Sequence, residues 1–168
     1  MGNGKRYDLV LKGGRVIDPG NDVDQVADVG VRDGKIAEVT ASIDRWAAEN
    51  TIDVSNSIVT PGLIDIHVHA YTGRMNQGAG FFTASLNADA HFLNSGVTTC
   101  VDTGTAGADE IAHFRETVID KATTRILAYI NISKPGMGAP EQTIASFDAV
   151  AAGGSAKEHA EVVVGIKT

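Results

Sequence analysis

From Pro61 onward, the sequence alternates between apolar runs with strand character and segments whose apolar residues recur at helical spacing. This alternation predicts βα units, since parallel strands need a long crossover between them. Helical spacing is clearest in 82–93 and 108–122, and Asp109 is placed to cap the second of these helices. Strands are predicted at 62–69, 96–102, 125–133 and 162–167. Residues 61–168 are therefore expected to form an α/β domain with a parallel sheet.

Residues 1–60 show a different pattern, in which short strands are broken by turn residues. Gly13-Gly14 reads as a turn, Asp33-Gly34 between two apolar runs predicts a hairpin, and 46–49 predicts a short helical stretch. Strands are predicted at 8–12, 15–17, 27–31, 36–39, 51–54 and 57–60. The sequence thus predicts two domains, a small all-β module at residues 1–60 and the α/β domain at residues 61–168.

Composition limits the partners of this chain. A net charge of -7 gives no electrostatic reason to expect nucleic acid or an anionic membrane. The single cysteine, Cys100, cannot form an intramolecular disulfide, and we expect it to be buried. No apolar run approaches the ~20 residues that cross a bilayer, and the first residues lack a signal-peptide core. We therefore expect a cytoplasmic protein that acts on a small-molecule substrate.

The segment 62–69 carries the clearest chemical information. Because side chains alternate along a strand, one face holds Leu63, Asp65, His67 and His69 and the other, expected to pack on helices, holds Ile64, Ile66 and Val68. Imidazoles at i and i+2 lie about 6 to 7 Å apart, a gap that one ion bridges at Zn–N distances of about 2.0 to 2.1 Å. Both lie at the carboxyl end of the strand, where parallel barrels place active sites. We interpret His67 and His69 as metal ligands; ordinary polar residues on an exposed strand are the alternative.

With Thr60-Pro61-Gly62 before it, this segment resembles the Pro-Gly-Leu-Ile-Asp-x-His-x-His motif of the amidohydrolase superfamily. The segments 8–19 and 31–36 look like the small domain beside the barrel of these enzymes. The segment 96–107, with Asp-x-Gly-x-Ala-Gly at its end, is similar to the dihydroorotase-like amidohydrolases and deacetylases. The resemblance implies the first four βα units of a (β/α)8 TIM-type barrel with a small N-terminal β-sandwich domain, and a homo-oligomer when complete.

Lys167 ends the predicted fourth strand. In binuclear members of the superfamily a lysine at that place is carboxylated and bridges two metal ions, so the resemblance implies a third metal ligand here. Carboxylation needs a neutral amine, which burial and nearby dications favour by lowering the pKa of lysine. The implied cofactor is a pair of divalent metal ions, zinc first, with manganese, iron or nickel as alternatives. A surface lysine is the simpler reading of Lys167.

The resemblance implies hydrolysis of a C–N amide bond, in an N-acyl amino acid or a cyclic amide, through attack of a metal-bound hydroxide on the carbonyl. The family's catalytic aspartate and two further histidines would lie beyond residue 168, so no catalytic residue is assigned within the chain. The isolated 168 residues are accordingly predicted to be inactive. An ester hydrolase of the same family, a non-catalytic structural homologue and a simple metal-binding module remain as alternatives.

Substrate contacts are predicted from the loop that follows the histidine pair. True dihydroorotases carry His-x-His-x-Arg, whereas Tyr71 stands at the arginine position here, which argues against dihydroorotase activity. Tyr71 and Arg74 are predicted to contact the substrate, and Asp65 to support the site as a carboxylate. The remaining histidines are expected to be structural: His91, His113 and His159.

Overall fold

The computed structural model describes residues 5–72 and 85–168. The chain divides into two compact units, Met1–Pro61 and Gly62–Thr168. In these described ranges, no helix is long and apolar enough to span a membrane.

The first unit is built around one long strand. Its strands are β1 Tyr7–Asp18, β2 Val23–Arg32, β3 Lys35–Thr40, β4 Ala48–Asp53 and β5 Ile58–Val59, with short 3₁₀ turns at Pro19–Asn21 and Arg45–Ala47. The order is β3-β2-β1-β4, with β5 also paired to β1. Neighbours β1, β2 and β3 run antiparallel, whereas β4 and β5 run parallel to β1. The second layer that a sandwich requires is not found among the described residues of this unit.

Of the two turns predicted at glycines in this unit, the structure contains one. Asp33 and Gly34 have φ angles of 51° and 70°, as the two central residues of a type I′ hairpin turn require, and the predicted hairpin between β2 and β3 is confirmed. The predicted turn at Gly13-Gly14 is wrong, because β1 continues through it with a shift of register against β2. Gly13 takes a φ of 75°, which identifies a glycine bulge that bends the strand without ending it.

The second unit contains a four-stranded parallel sheet. Its strands are β6 Leu63–Val68, β7 Val97–Gly107, β8 Arg125–Asn131 and β9 Val163–Lys167. They are hydrogen-bonded in sequence order, so all four predicted strands are present. The main difference is β7, which runs five residues past its predicted end and takes in the segment after Asp102.

Helices connect these strands. They are α1 Ala88–His91, α2 Ile111–Thr117 and α3 Ala149–Glu158, with 3₁₀ turns at Leu93–Ser95, Ile119–Lys121, Ala139–Gln142 and Ile144–Ser146. The predicted cap at Asp109 is wrong. The residue before α2 is Glu110, and its side chain makes no capping hydrogen bond. The backbone N–H of Asp109 is bonded to the carbonyl of Lys134 in the next loop.

The core of this unit lies between the sheet and the helices. Its buried members come from every strand and helix of the unit and include Val68, Cys100, Ile126, Ile130, Val163, Ala88, Ile111, Phe114 and Ala152. The expected apolar face of β6 is only partly covered, because Ile64 and Ile66 are 65% and 70% exposed while Val68 is buried. Among the described strands β6 pairs with β7 alone, which leaves it at an edge of the sheet.

Candidate metal site

The two predicted histidine ligands lie together at the carboxyl end of β6. The ring centroids of His67 and His69 are 5.9 Å apart, and their planes are nearly perpendicular. His67 is exposed, whereas His69, one residue beyond the strand, is half-buried. The backbone N–H of His67 donates to the Asp65 carboxylate at 3.0 Å, so Asp65 supports the strand end. Two imidazoles on one side of the chain can approach a single ion.

His69 is held by the neighbouring strand. Its Nδ1 lies 2.8 Å from the hydroxyl oxygen of Thr105, in the part of β7 beyond its predicted end at Asp102. Burial lowers the pKa of His69, and the positive charges of Lys167 and His67 lower it further, against an opposing effect of Asp102 and Glu141. A lowered pKa favours the neutral imidazole, which is the form that binds metal ions.

Asp102 is the buried carboxylate beneath this histidine. It is 0% exposed, and its two oxygens accept the backbone N–H groups of Ala70 at 2.7 Å and of Thr105 at 2.8 Å. Burial raises the pKa of Asp102, and the hydrogen bonds from Thr105 and Ala70 oppose the rise. One carboxylate thus ties the turn after His69 to the residue that contacts the His69 ring.

Lys167 lies at the carboxyl end of β9, next to a partner that sequence reasoning missed. Its Nζ is 3.3 Å from Oε2 of Glu141, and the same oxygen accepts a hydrogen bond from Asn131 Nδ2 at 2.8 Å. Burial raises the pKa of Glu141, but the hydrogen bonds from Asn131 and Gly138 and the charge of Lys167 outweigh burial and hold it below its ordinary value. In the sequence, the one sign that Glu141 belongs to this site is its position just after the loop that follows the third strand.

A glycine of β7 makes room for the lysine. Gly104 has a φ of 78°, and a Cβ there would lie 2.6 Å from Cδ of Lys167. Its carbonyl accepts the second N–H of the Asn131 amide at 3.0 Å. Lys167, Asn131 and the Gly104 backbone therefore form one packed group at the ends of β7, β8 and β9.

Of the two predicted substrate residues, the structure describes Tyr71 alone. Tyr71 is 1% exposed; its hydroxyl is hydrogen-bonded to Nδ1 of His113, and its ring stacks on Phe114 with centroids 4.5 Å apart. Tyr71 therefore lies inside the core against α2, and its contact with a substrate stays a prediction. Arg74 lies outside the described residues.

Among the described residues the donor set is incomplete. In residues 5–72 and 85–168, no group of three or more His, Cys, Asp or Glu side chains is arranged to hold a metal ion. His67 and His69 supply two nitrogen donors, and Lys167 is the nearby group that could add a third ligand after carboxylation. His91 is exposed on α1, and His159 follows α3 before β9 begins.

Residues 58–168 match the model of the Amidohydrolase family. A dihydroorotase from Anaeromyxobacter sp. (strain K) is 34% identical over 122 residues, which are 73% of this chain and 28% of that protein. A deacetylase from Agrobacterium fabrum is 33% identical over 105 residues, or 62% of this chain and 24% of that protein. The crystal structure of an adenine deaminase superposes with a TM-score of 0.77 at 30% identity, covering 96% of this chain and 41% of that one. The chain thus spans less than half of each relative.

Proposed function

The chain belongs to the amidohydrolase family, and from this premise we propose that it supplies part of the metal centre of a hydrolase acting on a C–N bond other than a peptide bond. One observation carries the proposal: the imidazoles of His67 and His69 lie 5.9 Å apart on the same side of a parallel strand's carboxyl end. In parallel α/β barrels that edge is where active sites are built.

A divalent cation fits the donors at this place. His67 and His69 would bind it as neutral imidazoles, and the lowered pKa of His69 supports that form. Lys167, carboxylated on Nζ, would add an oxygen ligand from β9. When bound, the cation supplies Lewis acidity and lowers the pKa of a water molecule. We propose zinc, with manganese, iron or nickel as alternatives, and a pair of ions when the ligand set is complete.

The fold proposal follows from the sheet. Four parallel strands in sequence order, with helices between them, support the proposal that this unit is the first half of a (β/α)8 barrel. The exposed Ile64 and Ile66 on edge strand β6 support this, since an apolar strand face is normally covered. We further propose that the first unit contributes one sheet of a β-sandwich and that the complete protein forms a homo-oligomer.

For the substrate we propose a cyclic amide or an N-acyl amino acid. Two relatives described above support these two substrate classes: the dihydroorotase supports a cyclic amide, and the deacetylase supports an N-acyl compound. Dihydroorotase activity itself is disfavoured, because Tyr71 replaces the arginine of that subgroup and its hydroxyl is already bonded to His113. An acyl ester is the second candidate, since the same carbonyl chemistry acts on it.

The metal site is tested by zinc retention. The 168-residue chain is loaded with zinc, desalted and analysed for metal by mass spectrometry. We expect His67→Gln and His69→Gln each to lower the retained zinc, and His91→Gln, which alters an exposed histidine on α1, to retain as much as the wild type. Equal retention by His69→Gln and His91→Gln would contradict the proposal.

Hydrolysis is tested on a protein whose barrel is complete, with an N-acetyl amino acid, dihydroorotate and a matching acyl ester as substrates. Cleavage of the N-acetyl amino acid, with loss in His67→Gln, supports the proposed amidase. Cleavage of the ester alone supports the second candidate. Retained zinc without hydrolysis of any substrate would indicate a metal-binding module instead.

A further inference from the structure

Thr105, near the end of β7, is held in place by contacts of both its backbone groups. It is buried, its backbone N–H donates to Asp102 at 2.8 Å, and its carbonyl accepts the N–H of Met137 at 3.1 Å. The loop carrying Met137 packs closely here, because a Cβ on Gly136 would lie 2.4 Å from the Thr105 carbonyl oxygen. The hydroxyl of Thr105 is therefore held at one position, and that position is 2.8 Å from Nδ1 of His69.

Asp102 fixes both sides of this contact. Its other oxygen accepts the backbone N–H of Ala70, the residue after His69, at 2.7 Å. The same carboxylate thus sets the backbone on which the His69 ring is mounted and the backbone that carries the Thr105 hydroxyl. Because Asp102 is fully buried, water does not compete for these hydrogen bonds.

The geometry points to Thr105 as a positioning residue for His69, with Asp102 as its support: the Thr105 oxygen accepts a hydrogen bond from Nδ1–H and selects the tautomer whose lone pair is on Nε2. This inference rests on the proposed metal site, since Nε2 is then the nitrogen that binds the ion. It extends that site to a residue of the second strand that binds no metal itself.

The direction of the hydrogen bond follows from the proposed metal site. If Nε2 of His69 binds the ion, Nδ1 is the nitrogen that carries the proton, and the Thr105 oxygen 2.8 Å away accepts from it. A metal-binding histidine usually donates its second N–H to such a partner, which fixes the orientation of its ring.

The tautomer is measured directly and without metal. Long-range ¹H–¹⁵N correlation spectra of the 168-residue chain identify which ring nitrogen of His69 is protonated, with the His69 signals assigned through His69→Gln. We expect the proton on Nδ1 in the wild type and in Thr105→Ser, and a shift of population toward Nε2–H in Thr105→Val. Nε2–H in the wild type would overturn the inference whether or not any variant folds.

Zinc affinity gives the second measurement. Loss of such a supporting partner typically costs about 10- to 100-fold in metal affinity, so we expect a weakening of that size in Thr105→Val and recovery to near wild type in Thr105→Ser. The matched control is Thr103→Val, which removes the hydroxyl of another β7 threonine that donates to the Val68 carbonyl at 3.2 Å. Unchanged affinity in Thr105→Val, or an equal loss in both valine variants, would overturn the inference.

The two measurements separate this inference from the proposed function. If the wild-type chain retains no zinc, the metal site fails, and the tautomer spectra still decide the role of Thr105. If zinc binds and depends on His69 but not on Thr105, the metal site stands and the positioning role fails.

Discussion

Asp28 is the buried carboxylate that holds the first unit together, and replacing it with asparagine should destabilise that unit. Its side chain is 4% exposed and lies 2.5 Å from Nζ of Lys12. One oxygen accepts the N–H of Gly13 at 2.8 Å, and the other accepts the N–H of Ile43 at 2.7 Å. The carboxylate therefore joins β2 to the bulge of β1 and to the segment that precedes β4.

The size of the effect follows from these contacts. In Asp28→Asn either orientation of the amide turns an NH₂ group toward a backbone N–H, which leaves one buried donor unpaired at about 1 to 3 kcal/mol. The charge-assisted bond to Lys12 is weakened as well. Removing one partner of a buried ion pair typically costs about 3 to 5 kcal/mol. Asparagine keeps one of the two acceptor oxygens, so we expect a smaller loss, about 2 to 4 kcal/mol in the free energy of unfolding.

The assay is urea unfolding followed by circular dichroism, with hydrogen exchange of the Gly13 and Ile43 amides as a local measurement. The matched control is Asp24→Asn, the same change on the same strand, where Asp24 pairs with Arg15 at an exposed site and such pairs contribute little. Equal unfolding midpoints for the two variants, or unchanged exchange at Gly13 and Ile43 in Asp28→Asn, would refute this account of Asp28.

The stability difference between the wild type and Asp28→Asn is also expected to depend on pH. Burial raises the pKa of Asp28, but the hydrogen bonds from Lys12, Ile43 and Gly13 outweigh burial and hold it below its ordinary value. A carboxylate whose folded pKa is lowered stabilises the fold fully above its unfolded pKa of about 3.9. That stabilisation is lost as the pH falls through the folded pKa, so the difference between wild type and Asp28→Asn should narrow below about pH 4. A constant difference down to lower pH would contradict this reasoning.

Three further predictions concern the second unit. Gly104→Ala places a Cβ 2.6 Å from Cδ of Lys167 at a φ of 78° and should lower zinc retention, whereas Gly34→Ala, with positive φ but open space around it, should leave retention unchanged. Burial raises the pKa of the Cys100 thiol to about 11, so iodoacetamide should label it at pH 8 only after the chain is unfolded in urea. Tyr71→Phe should cost about 0.5 to 1.5 kcal/mol of stability through one lost hydrogen bond and leave zinc affinity unaltered; a change in zinc affinity would contradict a purely core role.

Features that depend on local sequence could be predicted. The alternation of side chains in 62–69 placed His67 and His69 on one side, and the Asp33-Gly34 dipeptide predicted the hairpin that the structure confirms. The same local rules failed at Gly13-Gly14, since a glycine pair permits either a turn or a bulge. Pairing of β1 with three neighbouring strands decides in favour of the bulge, and that pairing is not a local property.

Tyr71 shows the same limit within the site. Its position two residues after His69 indicated a substrate contact, because loops at the carboxyl ends of barrel strands face the substrate. The structure turns the ring toward Phe114 and His113 on α2, which lies more than forty residues further along the chain. No spacing within the motif indicates that packing partner, since it depends on how α2 crosses the sheet.

The arrangement of the site explains why its supporting residues are hidden in the sequence. His69 contacts Thr105, and the backbone carbonyl of Gly104, the residue before Thr105, accepts a hydrogen bond from Asn131. The Asn131 amide also bonds to Glu141, which in turn pairs with Lys167. All but one of these contacts join a strand, or the loop after it, to its neighbour in the sheet; the exception, Asn131–Glu141, joins β8 to the loop that follows it. The path exists only while the parallel register holds the strand ends level, because a slip by one residue would turn each strand's side chains to the opposite face. Register is a property of the assembled sheet, so the histidine pair is visible in one strand, whereas the groups that orient it become visible only in the fold.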